Sequence, residues 1–214
     1  MEPKPPTAPS KIRLLLVDDH YFVRMGLAAS FNDEADMVVV AEAGGGHAAV
    51  ELFRQCRPDV VILDRRLPDL DGAKTIGAIR GEFPEARFVM LSVDDGEDDI
   101  FNSIQAGAMA YLTKDASRDE LLLAVRTVQG GERYLPPEIA RRLAARVGRP
   151  ELSSREMEVL RWIVQGMSNK EIGGHLAIAE STVKLHVRNL MAKLGVSDRT
   201  QATTEALRRG IIHL

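Results

Sequence analysis

The 214-residue sequence has one cysteine, few aromatic residues (5%) and no long apolar run. A single cysteine, Cys56, excludes an internal disulfide framework and a cysteine-rich zinc site, which is typical of a reducing cytosol. No apolar run approaches the roughly 18 residues that a bilayer span needs. Met1–Ser10 holds four of the ten prolines and lacks the apolar core of a signal peptide. We therefore expect a disordered leader there and a cytoplasmic protein with no membrane partner.

The two parts of the chain carry net charge of opposite sign. Residues 1–130 contain 14 Lys and Arg against 22 Asp and Glu, a net charge of −8. Residues 131–214 contain 14 against 9, a net charge of +5. A basic second part raises the expectation that it binds nucleic acid, although a surplus of five charges needs a motif behind it.

Short apolar runs alternate with amphipathic segments through the first part of the chain. The runs that we predict as strands are Ile12–Val17, Met37–Ala41, Val60–Leu63, Arg87–Leu91 and Met109–Leu112. Strands separated by helical segments predict an α/β fold: a doubly wound, five-stranded parallel sheet with right-handed crossovers and helices on both faces. The chemistry of such sheets lies beyond the carboxyl ends of the strands.

Polar side chains follow four of these runs at the point where each run ends. Asp64 follows the third run, and Asp18 and Asp19 follow the first. Ser92 follows the fourth run, and Lys114 comes shortly after the fifth. Carboxylates are ligands that Mg²⁺ prefers, while a lysine and a hydroxyl neutralise phosphoryl oxygens. The sequence therefore predicts a phosphoryl-transfer site at one edge of the sheet, with Asp64 as its working residue.

Taken together and in this order, the motifs resemble the receiver domain of bacterial two-component response regulators, over roughly residues 11–130. The matching motifs are Asp18-Asp19, Asp64 followed by Leu67-Pro68 and Asp71-Gly72, Ser92, Gly107-Ala108, and Tyr111 through Lys114. The resemblance implies that a sensor histidine kinase, or a small phosphodonor, phosphorylates Asp64. The Mg²⁺ ligands that it implies are Asp18, Asp19, Asp64 and the backbone carbonyl of Arg66. It further implies that Lys114 holds the phosphoryl group and that Ser92 and Tyr111 form the switch.

Two local features of this first part depart from the family or go beyond it. Gly44-Gly45-Gly46-His47 stands at the start of the second helix, where the family often has an acidic or amide residue. Arg66 lies two residues after Asp64, and Asp94 lies two residues after Ser92. We hypothesise that Arg66 and Asp94 pair at the mouth of the site, limit the approach of hydrolytic water and lengthen the phosphorylated state.

The second part of the chain has the pattern of a helical domain. Gly130-Gly131 ends the last helix of the receiver-like part, and residues 131–150 are predicted as a linker with one arginine-rich helix. Ser153 and Ser168 are each followed three residues later by a glutamate, which is the capping-box signature of a helix start. Two short helices, a turn and a longer helix ending at Gly195 predict a helix-turn-helix domain over residues 151–214.

This block resembles the LuxR-type DNA-binding domain of the NarL/FixJ response regulators. The matching motifs are Ser154-Arg155-Glu156, Ser168 through Ile172, Thr182-Val183-Lys184, His186-Val187 and Lys193 through Val196. The resemblance implies binding to double-stranded promoter DNA, a homodimer on DNA formed through Asp198–Arg209, and it allows RNA polymerase as a further partner. Residues implied to reach base edges are Lys184, Leu185 and Arg188. Candidates for phosphate contacts or neighbouring support are Thr182, His186, Asn189 and Lys193.

Two features weaken the helices of this domain. Gly173-Gly174 costs helix propensity, about 1 kcal/mol each relative to alanine. Ala179 stands where a serine or threonine usually caps the recognition helix, and we expect Ala179→Ser to stabilise the domain by up to about 1 kcal/mol.

The expected function is phosphorylation-dependent control of transcription, and we do not expect an enzyme. Two alternatives stay open. A receiver used only as a protein-interaction module would not need the intact set of Asp64, Asp19 and Lys114. A small α/β phosphatase with an aspartyl nucleophile usually has a second acid two residues further on, where this chain has Arg66, and its basic C-terminal helices would be unexplained.

Overall fold

The computed structural model describes residues 11–93 and 96–213. Met1–Ser10, predicted to be a disordered leader, and Asp94, predicted to pair with Arg66, lie outside the described residues. The chain divides into two compact units, one made of residues 11–93 and 100–141 and the other of residues 96–99 and 142–213. Within the described ranges, no helix is long and apolar enough to cross a membrane.

The first unit is built on a five-stranded sheet in which every neighbouring pair of strands is parallel. The strands are β1 (Ile12–Val17), β2 (Met37–Ala43), β3 (Val60–Asp64), β4 (Phe88–Ser92) and β5 (Ala110–Thr113). Their order across the sheet is β2-β1-β3-β4-β5, which is a doubly wound order with a switch point between β1 and β3. The predicted α/β class and the parallel, doubly wound sheet are therefore confirmed.

Helices follow the strands in strict alternation. They are α1 (Tyr21–Asn32), α2 (Gly46–Cys56), α3 (Gly72–Glu82), α4 (Glu97–Ala106) and α5 (Arg118–Gln129). The central strands β3 and β4 are buried along their whole length, as expected for strands with helices on both faces. Leu122, Val125 and Val128 of α5 pack with sheet residues such as Ile62 in one apolar core. This packing fixes the carboxyl ends of the strands, where the polar residues lie.

The second unit is helical and has its own core. Its helices are α7 (Ser154–Val164), α8 (Asn169–Leu176), α9 (Glu180–Leu194) and α10 (Arg199–Arg208), preceded in the chain by α6 (Pro137–Arg146). Both predicted capping boxes are present, since Ser153 and Ser168 each cap a helix and receive the reciprocal bond from a glutamate. Val183 and Leu190 of α9 are fully buried in the core. The opposite side of α9 is thereby left exposed.

Candidate functional site

The carboxyl ends of β1, β3 and the segment after β5 bring three charged groups together. Lys114 Nζ lies 2.6 Å from Asp18 Oδ2 and 2.7 Å from Asp64 Oδ2. Asp18 and Asp64 are buried, with only 2% and 4% of their surface exposed. A single ammonium therefore bridges two buried carboxylates that lie at the ends of different strands. This was expected, because the carboxyl ends of parallel strands lie at the same edge of the sheet.

Burial and pairing act in opposite directions on these groups. Burial raises the pKa of Asp64 above its ordinary value, and the hydrogen bond from Lys114 offsets this only in part. For Lys114, burial lowers the pKa, but the close contacts with the carboxylates of Asp18 and Asp64 outweigh it and raise the pKa overall. Lys114 therefore stays charged and helps to keep Asp64 in the ionised form that a nucleophile needs.

The same edge offers a set of metal-ligating atoms. One ligand atom each from Asp18, Asp19, His20 and Asp64 lies within 4.8 Å of the others. Oδ2 of Asp18 is buried and makes no hydrogen bond of good geometry in the described part of the chain, although the Lys114 ammonium lies near it. A cluster of carboxylate oxygens is the ligand chemistry that Mg²⁺ favours. The donor set thus fits a hard divalent cation.

The two predicted switch residues occupy the neighbouring strands. Ser92 is the last residue of β4 and pairs in register with Thr113 of β5. Its carbonyl accepts a hydrogen bond from the backbone N–H of Lys114 at 2.7 Å. Ser92 is 2% exposed and Tyr111 is 1% exposed. The structure therefore places Ser92 beside the lysine and buries Tyr111 completely.

The loop after Asp64 is closed by the Asp71-Gly72 motif. Gly72 N–H donates to the carbonyl of Arg65 at 2.8 Å, and Asp71 caps α3 by accepting from Ala73 N–H at 2.9 Å. A Cβ on Gly72 would lie 2.7 Å from the carbonyl oxygen of Asp64, so only glycine allows this close return of the chain. The backbone N–H of Arg66 donates to Asp64 Oδ1 at 3.2 Å.

Sequence reasoning missed the contribution of Asp69 and Arg65 to this loop. Arg65 is only 3% exposed, and its guanidinium lies 3.6 Å from Asp71. Asp69 contacts the start of α2 through backbone N–H groups of Gly46 and His47. The glycine run before His47 was the available signal, because such a run permits close approach of another backbone segment.

The exposed side of α9 carries most of the predicted DNA contacts. Lys184, Leu185, Arg188 and Asn189 are exposed, and Thr182, His186 and Lys193 are half-buried. Leu185 is 45% exposed, an unusual position for a large apolar side chain. Lys184 forms an ion pair with Glu180 one turn earlier, at 2.8 Å. A basic and partly apolar helix face opposite a buried one is the form needed to enter a major groove.

Lys193 is engaged inside its own domain. Its ammonium lies 2.7 Å from Glu156 Oε2 and 2.9 Å from the carbonyl oxygen of Glu151. Burial acts to raise the pKa of Glu156, but the hydrogen bonds from Lys193 and Ser153 outweigh it and lower the pKa overall. Of the two roles allowed by the sequence, the geometry favours support of the domain over a contact with phosphate.

A doubly wound sheet with a lysine-bridged carboxylate pair at its edge, joined to a helix-turn-helix unit, defines a receiver-type regulator. Comparison with family models agrees with this class. Residues 14–126 match the response regulator receiver domain, and residues 150–206 match the bacterial regulatory proteins of the luxR family. The chain belongs to the family of two-component response regulators with a LuxR-type DNA-binding domain.

Individual relatives are similar along nearly their whole length. A nitrate/nitrite response regulator protein homolog from Haemophilus influenzae is 39% identical, over 90% of this chain and 95% of the relative. Transcriptional regulatory protein LiaR from Bacillus subtilis is 36% identical, over 94% of this chain and 100% of LiaR. The crystal structure of response regulator ChrA from a heme-sensing two-component system has a TM-score of 0.57 and 38% identity, and it covers 95% of this chain and 100% of ChrA. This chain is thus a DNA-binding response regulator.

Proposed function

We propose that phosphorylation of Asp64 by a partner sensor histidine kinase controls promoter binding by the second unit. The observation that carries this proposal is the Lys114 ammonium held between Asp18 and Asp64, at 2.6 Å and 2.7 Å. This arrangement fixes a buried carboxylate at the open edge of the sheet and provides a cation for the oxygens of an incoming phosphoryl group. Small phosphodonors with a good leaving group should react at the same residue.

The transfer needs only one nucleophile from this chain. An oxygen of Asp64 attacks phosphorus, a new O–P bond forms, and the P–N bond to the kinase histidine breaks with its electron pair left on the imidazole. Lys114 can move its hydrogen bond from the carboxylate to a phosphoryl oxygen. When bound by Asp18, Asp19, Asp64 and the Arg66 carbonyl, Mg²⁺ supplies neutralisation of phosphoryl charge. No turnover of a separate substrate is involved, so we propose a regulator and no enzyme.

The switch is proposed to start at Ser92. A phosphoryl group adds a charge of about −1.5 to −2, and the Ser92 hydroxyl is the neutral donor next to Lys114. Movement of Ser92 toward the phosphoryl group changes the packing space at the end of β4, beside the strand that carries Tyr111. Because Tyr111 on β5 is already buried, we propose that its side chain packs against the segment after β4 and stabilises the rearranged position of that segment. The two arrangements differ in free energy by the new contacts to phosphate.

The lifetime of the phosphorylated state is a separate proposal. Asp94 lies outside the described residues, so its pairing with Arg66 remains a prediction. If the pair restricts water, Arg66→Ala and Asp94→Ala should each shorten the half-life of phospho-Asp64 and the double variant should match the single ones. Dephosphorylation is followed by intact mass after removal of the phosphodonor. A half-life equal to that of the unmodified sequence in all three variants contradicts the gate.

For the second unit, we propose that α9 reads double-stranded DNA in the major groove. Arg188 suits a guanine edge, and the exposed Leu185 suits the methyl group of thymine. Lys184 is proposed to leave its ion pair with Glu180 and to bind a base edge in its place. Thr182, His186 and Asn189 are proposed phosphate contacts or neighbours of such contacts.

A homodimer on DNA is proposed through α10. The exposed positions of this helix are Thr200, Gln201, Thr204 and Arg208. A polar face of this kind lacks the apolar surface of an obligate homodimer interface, which favours a dimer that forms when two half-sites on DNA hold the copies together. RNA polymerase is a further proposed partner. Because DNA and RNA polymerase are found in the bacterial cytoplasm, we propose that the protein acts there.

The test is incubation with acetyl phosphate and Mg²⁺, followed by intact mass and DNA-binding measurements. We expect a single stable phosphate adduct, its absence in Asp64→Asn, and tighter promoter binding by the phosphorylated form only. Binding that does not depend on phosphorylation, with no adduct, would support the protein-interaction module. Rapid hydrolysis of phosphomonoesters would support the phosphatase.

A further inference from the structure

A carboxylate from the loop after Asp64 caps a helix that lies more than twenty residues earlier in the chain. Asp69 Oδ1 accepts from Gly46 N–H at 2.8 Å, and Asp69 Oδ2 accepts from His47 N–H at 3.0 Å. The helix itself supplies nothing here, because its N-cap residue, Gly45, has no side chain. Free N–H groups at the start of α2 are therefore satisfied by Asp69 of another segment.

The glycines at the start of α2 leave room for this contact. A Cβ on Gly45 would lie 2.8 to 3.0 Å from the three carboxylate atoms of Asp69. A Cβ on Gly46 would lie 2.7 Å from the carbonyl oxygen of Leu70. By contrast, a Cβ on Gly44 would meet only the distal end of Arg24, at 3.8 Å. Two of the three glycines thus leave room for the loop, while the first would make only an ordinary contact with Arg24.

The environment of Asp69 favours its ionised form, and the loop has a second point of attachment next to it. Hydrogen bonds from the backbone N–H groups of His47 and Gly46 hold the pKa of Asp69 well below its usual range. Next to Asp69, the carbonyl of Leu70 accepts from Thr75 Oγ1 at 3.0 Å. The loop is therefore fastened to α2 by Asp69 and to α3 by Leu70.

The fastened loop is the segment that carries Arg66. Only a few residues separate Arg66 from the acceptor Asp64 on one side and from Asp69 on the other. We propose that Asp69 is a positioning residue, which clamps this loop onto the amino end of α2 and thereby presents the Arg66 carbonyl to the metal. This inference rests on the proposed function, since it assigns a role within the same Mg²⁺ site.

Two roles for Asp69 have to be separated by experiment. A cap that only stabilises α2 would affect unfolding and leave the affinity for Mg²⁺ unchanged. A clamp would affect Mg²⁺ binding at temperatures far below unfolding, because an unfastened loop must be ordered each time the ion binds. Residues that orient metal ligands change affinity by about 10–100-fold when they are removed, and a loop clamp should act at the lower end of that range.

The experiment compares Asp69→Ala, Gly45→Ala and the double variant in the full chain. Gly45 has φ −168°, which alanine adopts freely, so alanine there acts through its contact with Asp69. Gly44→Ala is the matched control, since its Cβ would make only an ordinary contact with the end of Arg24, at 3.8 Å, and would not touch Asp69. Mg²⁺ affinity is measured by calorimetric titration at 25 °C, and deuterium uptake of residues 65–71 is measured without metal.

We expect Asp69→Ala and Gly45→Ala each to weaken Mg²⁺ binding by about tenfold and to raise deuterium uptake in the loop. The double variant should equal Asp69→Ala, and Gly44→Ala should behave as the unmodified sequence. Unchanged Mg²⁺ affinity in Asp69→Ala with a lower melting temperature would overturn the clamp and leave a simple cap. Failure of the unmodified protein to bind Mg²⁺ would refute the proposed metal site, and the deuterium uptake would then decide whether Asp69 fastens the loop.

Discussion

The two adjacent glycines of α8 should respond to alanine with opposite signs. Helix propensity alone predicts that both substitutions stabilise the domain, because glycine in a helix interior costs about 1 kcal/mol relative to alanine. Gly174 is exposed and a Cβ there would meet nothing within 4 Å. Gly173 is buried, and a Cβ there would lie 2.8 Å from the carbonyl oxygen of Ile178, in the turn that leads to α9. Only Gly174→Ala should therefore stabilise the domain.

The expected magnitudes follow from these surroundings. Gly174→Ala should stabilise the domain by up to about 1 kcal/mol, which raises the melting temperature of a domain of this size by about 4–8 °C. Gly173→Ala gains the same propensity but forces the backbone of the turn to move, and overpacking of this kind costs about 1–3 kcal/mol. The net effect of Gly173→Ala is then a loss of up to about 2 kcal/mol. Because the turn sets the direction of α9, DNA affinity should fall as well.

Trp162 makes the measurement specific to this domain. It is the single tryptophan of the chain and stacks on His175 of α8, with ring centroids 4.5 Å apart. Urea unfolding followed by its fluorescence reports the helical unit alone. Stabilisation by both substitutions would refute the steric argument at Gly173, whereas loss in both would refute the assignment of Gly174 to open space.

Three further substitutions test other parts of the structure. Ala179→Ser should stabilise the helical unit by up to about 1 kcal/mol, since Ala179 makes no side-chain cap although its backbone is extended like that of a capping serine; an unchanged or lowered melting temperature contradicts this. Burial raises the pKa of Asp64 in the folded state. The protonated carboxyl therefore contributes fully to stability below the pKa of the unfolded state, about 3.9, and this contribution is lost as the pH rises through the pKa of the folded state. Without Mg²⁺, Asp64→Asn should thus be more stable than the unmodified protein at pH 7, with no difference near pH 3; a pH-independent difference contradicts this. Lys193→Ala should cost about 1–2 kcal/mol by unpairing buried Glu156, and the salt dependence of DNA binding should stay unchanged; a slope lowered by about one would assign Lys193 to phosphate.

The fold could be predicted from the sequence because its central strands, β3 and β4, are buried on both faces and almost wholly apolar. The wholly apolar run Val60–Leu63 predicts a strand at the centre of a sheet that is covered on both faces. The structure confirms this, because β3 is buried throughout. The end of β2 was harder, since the predicted strand stops at Ala41 and the observed one at Ala43. Strand β2 lies at the edge of the sheet, so an exposed Glu42 continues it without any apolar signal. Apolar runs mark buried strands well and edge strands poorly.

The site was predictable where a strand delivers a side chain directly. Asp64 and Asp18 follow buried runs, and parallel strands bring their ends to one edge whatever the details of the loops. Lys193 shows the limit of this reasoning, because a helix pattern places it on a surface but cannot reveal Glu156, which comes from a different helix. Contacts between segments distant in the chain depend on packing, and periodicity within one segment carries no information about them.

The glycines show why part of the site could not be predicted. From sequence, glycine counts as a loss of helix propensity or as a departure from the family, as at Gly173 and Gly45. In the structure a Cβ at either position would lie only 2.8 Å from an atom of another residue, the carbonyl oxygen of Ile178 at the first and a carboxylate oxygen of Asp69 at the second. The neighbours Gly174 and Gly44 have the same propensity and no such contact. What separates the members of each pair is the space around them, which is a property of the folded chain, and so the contact between Asp69 and the start of α2 depends on packing that neither segment's sequence encodes by itself.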